Sequence, residues 1–225
     1  MSAPAAIVVP PRLGESRWPP VAAVLVFLTV NIAVRIWLPR EAAIHVPWLV
    51  PAVEVVLLVV LMSSDPSSAA EQKQRHRLAL TIVGLLVASA LWSTAVLVDD
   101  IIQGKGVAND ASHLLASGGV IWLGNNLAFA LLYWLIDGGG PVVRSAHPAP
   151  VDFAFTQHMS PELAAPGWRP IFLDYLHLGF TNATAFSPTD VMPLTHRAKY
   201  AMLLQSTVAL ALFGLIVARA VNAFT

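Results

Sequence analysis

This sequence predicts an all-α fold, a polytopic bundle of membrane-spanning helices, and three observations carry that reading. Hydrophobic residues make up 56% of the 225 and charged residues only 12%, about half the charge of an ordinary globular domain. The mean hydropathy is +0.68. Five apolar runs approach or exceed the roughly 20 residues that cross a bilayer: Val21 to Leu38, Val46 to Met62, Leu78 to Ile102, His113 to Ile136, and Lys199 to Val221. These five are read as firm spans.

The rings of Trp18, Trp37, Trp48, Tyr133 and Trp134 fall near the ends of these runs, where amphipathic aromatics prefer the headgroup level. In the last run the only charges, Lys199 and Arg219, sit at its two ends, where long side chains reach the interface. Residues 1–20 lack the pattern of a secretory signal and read as a short cytoplasmic tail. Residues 21–136 form a four-helix transmembrane region, and residues 137–170 read as a polar loop rich in proline. Gly138-Gly139-Gly140 follows a span and precedes Pro141, the arrangement of a helix terminator. Residues 171–186 are mixed in character and short for a span, so they read equally as a sixth crossing or as a re-entrant half-helix.

Lys plus Arg equals Asp plus Glu at 13 each, so no net charge advertises a nucleic-acid partner. The expected partner is the lipid bilayer of the cell membrane. Cysteine is absent, which removes disulfides and thiolate metal sites. No glycine-rich phosphate loop, His-Glu-x-x-His or Gly-x-Ser-x-Gly element is found, so neither catalytic residues nor a cofactor is expected.

Orientation follows from the basic residues. With the N-terminus inside and 171–186 counted as a crossing, Arg12, Arg17, Lys73, Arg75, Arg77, Arg144, Arg169 and Arg219 lie inside, against Arg40, Lys105, Arg197 and Lys199 outside. Arg35 stays within the first span. This count puts both termini in the cytoplasm. A re-entrant segment gives nine against three, moving Arg197 and Lys199 inward and Arg219 outward.

Ionisable groups inside spans are costly and mark partners or water. Arg35 near the end of the first span and Glu54 two turns into the second suit an intramembrane ion pair, with ion or proton movement as the alternative. Asp99, Asp100, Asp110 and His113 gather about one short loop. Ordinary interfacial charge, with Asp110 or Ser112 as an N-cap, accounts for them better than a cation site, and no metal is expected. Asn125 and Asn126 read as interhelical packing groups. Asp174, His177, Thr181 and Thr184 recur at helical spacing on one face. They are the best candidates for a pore lining or proton relay, with buried interhelical hydrogen bonding as the rival.

From Phe180 the chain reads Phe-Thr-Asn-Ala-Thr-Ala-Phe-Ser-Pro-Thr-Asp-Val-Met-Pro-Leu-Thr. This resembles the pore helix, filter and link to the inner helix of tetrameric potassium channels, typically FTTLTTVGYGDIxPxT. Phe180, Thr181, Thr184, Asp190, Pro193 and Thr195 coincide in one register. The resemblance covers about the last 50 residues, and it implies a homo-oligomer moving a small ion or solute. A scaffold or assembly partner is the alternative. The tail also looks like a family of bacterial polytopic membrane proteins of unknown function with a Phe-Thr then Ser-Asp or Thr-Asp pattern before its last helix. The filter-like link is Ala185, Phe186, Ser187, Pro188, Thr189 and Asp190. Both filter glycines are replaced, by Ser187 and Thr189, and Pro188 fixes its own φ between them. Stacked carbonyls of the potassium-selective kind are thereby lost. Recordings from protein in liposomes should accordingly show no strong preference for potassium over sodium. A strong preference would refute this register.

Overall fold

In the computed structural model the described residues are 15–37, 49–62, 69–104, 110–146, 150–184 and 190–223. The elements run α1 (Trp18–Trp37), α2 (Leu49–Met62), α3 (Ala69–Gln103), α4 (Ala111–Ile136), α5 (Pro141–Ala146), β1 (Phe153–Phe155), α6 (Thr156–Met159), α7 (Phe172–Thr184), β2 (Val191–Pro193) and α8 (His196–Ala223). Among the described residues, three stretches are long and apolar enough to cross a membrane: Ala70–Gln103, Ser112–Gly139 and His196–Arg219. The described apolar parts of α1 and α2 are shorter, Trp18–Thr29 and Pro51–Met62.

Local chemistry accounts for the helix ends. Pro19 and Pro20 occupy the first turn of α1, where a missing amide donor costs nothing. Asp110 caps α4, its carboxylate accepting from the His113 amide at 2.8 Å, so the N-cap reading of this residue holds. At the other end of α4 the three glycines take φ of +56°, +80° and +95°, a left-handed run that stops the helix as the sequence implied. Thr195 caps α8, accepting from the Ala198 amide at 3.3 Å.

Helix α4 is the central post. Its apolar stretch is 67% buried, against 39% for α3 and 22% for α8. Phe129, Tyr133, Phe153, Phe172 and Tyr175 are fully buried around its second half. Edge contacts join Tyr133 to Phe153 at 5.2 Å and Trp134 to Phe172 at 5.9 Å between centroids.

One end of the bundle gathers the segment before α1, the early part of α3, the end of α4 and the starts of α7 and α8. His76 of α3 packs on Gly140, Glu15 reaches Trp134 and Phe172, and Arg197 reaches Ile136. At the opposite end Gly104, after α3, lies beside Arg219, and Gly118 of α4 lies under Ile216. Thus α1, α3 and α8 run away from the first end and α4 runs towards it.

An all-helical reading misses one element. Strands β1 and β2 pair antiparallel, with Phe153 opposite Pro193, Ala154 opposite Met192 and Phe155 opposite Val191. The stretch 137–170, read as a loop, is itself built of short pieces, including 3-10 turns at Asp137–Gly139 and Pro161–Leu163. The ribbon also bears on the two readings of 171–186. Because β2 lies beside β1, the chain leaves this end through α7 and is back at the same end by Val191. With 13 residues, α7 is about 20 Å long, an excursion and not a sixth pass along the bundle.

Gly140 tests the corner. A methyl group there would meet the His76 ring at 2.7 Å and the Leu135 carbonyl oxygen at 3.2 Å, at φ +95°. Gly140→Ala should cost about 2 kcal/mol or more. Gly119→Ala, within α4 and with nothing within 4 Å of the new carbon, should leave the melting temperature in detergent nearly unchanged.

Candidate functional site

Two buried carboxylates organise the end from which α7 departs. Asp137, at the end of α4, is fully buried. Its Oδ1 accepts from the amides of Asp152 at 2.6 Å and Phe153 at 3.2 Å, and its Oδ2 accepts from the Tyr175 hydroxyl at 2.5 Å. Asp152 is 1% exposed and receives both Nε and Nη2 of Arg197 at 2.6 Å each, a bidentate pair. Thr195 Oγ1 and the Gly138 amide also donate to it, at 2.6 and 3.1 Å. Burial alone would raise the pKa of Asp152, but the bonds from Arg197, Thr195 and Gly138 outweigh it and hold the carboxyl below its usual range.

A second cation completes the knot. Arg144 of α5 donates to the carbonyls of Trp134 at 2.8 Å and Asp137 at 2.6 Å, and its guanidinium stands 5.0 Å from the centre of the Tyr175 ring. Its other nitrogen meets Glu15 Oε2 at 3.3 Å.

Deeper along α7 the chemistry turns neutral. Gln205 Oε1 of α8 accepts from the Tyr133 hydroxyl at 2.7 Å and from Asn182 Nδ2 at 2.8 Å. Gln205 Nε2 donates to the Gly179 carbonyl at 3.0 Å, and Ser206 donates to Asn182 Oδ1 at 2.9 Å. Tyr133, Asn182 and Gln205 are all buried. The close approach of α4 needs Gly179, since a methyl there would lie 3.2 Å from the Asn126 carbonyl oxygen. The next residue, Phe180, meets Trp122 edge to face at 5.4 Å.

The four candidates of the polar stripe lie away from this buried side of α7, which presents Phe172, Tyr175, Leu178, Gly179, Asn182 and Ala183 to the bundle. Asp174 accepts from the Ile171 amide at 2.7 Å and so closes the first turn of α7. His177 and Asp190 face each other at 3.2 Å, both partly open. Thr181 and Thr184 return their hydroxyls to the carbonyls of His177 and Phe180, at 3.0 and 2.9 Å. Ala185, Phe186, Ser187, Pro188 and Thr189 lie outside the described residues, as does the Arg35 side chain of the suggested ion pair. Glu54 is fully buried and lines a cavity of about 50 Å³ between α1, α2, α3 and α4. Asn125 donates to Thr94 at 2.9 Å, as an interhelical contact should, whereas the Asn126 amide has no hydrogen-bond partner among the described residues. No group of three or more His, Asp or Glu side chains able to hold a metal occurs among the described residues.

Sequence reasoning did not single out Glu15, Asp137, Arg144, Asp152, Tyr175, Arg197 or Gln205. A usable signal existed at Asp137 alone, an acid where an apolar span meets a triple glycine. The chain matches no protein-family model, no curated protein and no solved structure.

Because its pKa is depressed in the fold, Asp152 contributes stability that is present above its ordinary pKa and lost as pH falls through the lowered one. Asp152→Asn should therefore lower the melting temperature at neutral pH by several degrees, roughly 1–2 kcal/mol after allowance for the exposed side of Arg197. The gap to wild type should close below about pH 4. Arg197→Lys should reproduce most of the loss, because an ammonium cannot make the bidentate contact.

Proposed function

We propose that this chain is a channel-like or permease-like membrane protein that moves a small ion or solute as a homo-oligomer, with α7 and the link after it beside the path. One observation carries the reading: α7 leaves one end of the bundle, the chain returns to that end, and the outward side of α7 holds Asp174, His177, Thr181 and Thr184. In a membrane an outward polar stripe on a re-entrant helix needs water or protein against it, not lipid. A second copy of the chain supplies that environment, and a wet path between copies uses it.

Five crossings, α1 to α4 and α8, with α7 re-entrant, set the orientation. The end bearing the knot then holds Arg12, Arg17, Lys73, Arg75, Arg77, Arg144, Arg169, Arg197 and Lys199, against Arg40, Lys105 and Arg219 at the other. The positive-inside rule places the knot and the N-terminus in the cytoplasm and the C-terminus outside, in place of the six-crossing expectation of both termini inside. In this orientation α7 enters from the cytoplasm, opposite to the pore loop of the potassium channels it resembles. The path is correspondingly not a potassium-selective filter. Thiol labelling checks the topology on introduced cysteines, since the native chain has none. Residue 150 should react only from inside and residue 225 only from outside.

The alternative, a non-conducting scaffold, draws support from Thr181 and Thr184, whose hydroxyls are already satisfied by their own helix, and from Asp174, which is engaged as a cap. Flux from purified protein in liposomes, against a panel of cations, anions and protons, separates the two. For a wet path, Asp174→Asn should change flux at least severalfold with little effect on melting or oligomer size. His177, 61% exposed beside Asp190, lies on the same stripe, and His177→Gln should likewise change flux with little effect on melting. Unchanged flux with a lowered melting temperature in Asp174→Asn would establish the scaffold.

A further inference from the structure

We propose that Glu15, on the segment leading into α1, is a latch that holds the start of α7 and so lets the N-terminal segment set the position of the re-entrant helix. The proposal rests on the reading of α7 as the element beside the path and names how that element is controlled.

The geometry is that of one carboxylate serving three separate elements. Glu15 Oε1 accepts from Trp134 Nε1 of α4 at 2.8 Å and from the amide of Phe172, the first residue of α7, at 2.7 Å. Oε2 accepts from Arg144 Nη2 of α5 at 3.3 Å. Glu15 and Arg144 side chains are 10% and 8% exposed, so this is a protein-enclosed contact and not a surface ion pair of negligible weight. The first amides of a helix have no partner within it and carry the positive end of its dipole. In α7 they meet two carboxylates of different origin. Asp174, from the helix itself, takes the Ile171 amide. Glu15, 157 positions earlier in the chain, takes the Phe172 amide.

The Trp134 ring that shares Glu15 also packs edge-on against Phe172 at 5.9 Å. Withdrawal of Glu15 therefore unties the Phe172 amide, the Trp134 indole and one arm of Arg144 together. Arg144 keeps its two carbonyl contacts with Trp134 and Asp137, and the Asp137–Asp152–Arg197 contacts do not involve Glu15. The α4 corner and the root of α8 stay in place and Tyr175 stays on Asp137, while the Phe172 end of α7 ahead of Tyr175 is released. Glu15 is thus a positioning residue: it touches no transported species and acts through α7.

Hydrogen–deuterium exchange on the full chain in lipid nanodiscs tests the latch without any measurement of transport. Glu15→Ala should speed exchange of amides 172–176 about tenfold while amides 198–205 of α8 keep their wild-type rates. Glu15→Gln, which retains the oxygen that Trp134 and Phe172 share, should restore most of the protection. Equal acceleration along the whole chain, no acceleration at all, or identical behaviour of Glu15→Ala and Glu15→Gln would each overturn the latch. Liposome flux on the same variants tests the underlying reading separately: a local release of α7 with no flux in any variant removes the path and leaves the latch standing.

Discussion

Two carboxylates that cannot reach water determine the shape of this protein. A buried ionised carboxylate is tolerable only when its oxygens are filled by donors, and Asp137 and Asp152 draw theirs from well-separated parts of the chain. The amides of Gly138, Asp152 and Phe153, the Tyr175 hydroxyl, the Thr195 hydroxyl and the Arg197 guanidinium must all come to one place. Four segments are thereby fixed at one end of the bundle: the close of α4, the ribbon strand at 153–155, the first turn of α7 and the root of α8. The three-residue ribbon would not stand alone. It exists because Asp152 and Thr195, just outside its two strands, are tied to each other.

The same knot forces α7 to be an excursion. Tyr175 near its start is bonded to Asp137, and Arg197 after its return is bonded to Asp152, so both ends of the intervening segment are held at one level. What α7 does in between is governed by weaker, neutral contacts. Interhelical hydrogen bonds within membranes contribute only about 0.6 kcal/mol each on average, so the Tyr133, Asn182, Gln205 and Ser206 set does not drive assembly. Its effect is on specificity. Each donor and acceptor there has a partner at one register of α7 against α4 and α8, and a slip would strand several of them in a dry interior.

The parts of this structure that were legible in the sequence are the parts fixed by neighbours in the chain. Apolar runs gave the positions of the long helices, the triple glycine gave the end of α4, and Asp110 gave its beginning, because each depends on propensity or capping within a few residues. The knot was not legible for the opposite reason. Asp137 and Arg197 are 60 positions apart, and Arg197 entered the sequence argument only as a charge to be assigned to one face of the membrane. The ribbon was missed because three-residue strands carry no periodicity, and the alternation of a strand needs at least four residues to register. Asn182 was visible only as an interruption of an apolar segment, although it and not the neighbouring stripe faces the bundle. Helical spacing groups Asp174, His177, Thr181 and Thr184 onto one side of α7, but spacing alone does not say which side packs.

That division of α7 into a packed side and an open polar side bears on how copies of the chain meet. From Leu203 to Val217 the outer surface of α8 is apolar apart from Thr207, with Leu203, Leu210, Phe213 and Val217 exposed, and such a face is at ease in lipid. The outer side of α7 is not uniformly so: exposed His177 and Thr184 alternate with exposed Leu173 and Phe180. Lipid solvates the second pair and rejects the first, so the two surfaces call for different neighbours. An assembly that turned α8 to its axis would bury a face that already has a good solvent and leave the imidazole of His177 in hydrocarbon. One that turns α7 to its axis does the reverse. It also brings together, from every copy, the His177–Asp190 pair. On these grounds the α7 side, and not the more exposed α8 side, is the face whose polar groups a neighbouring copy would serve better than lipid does.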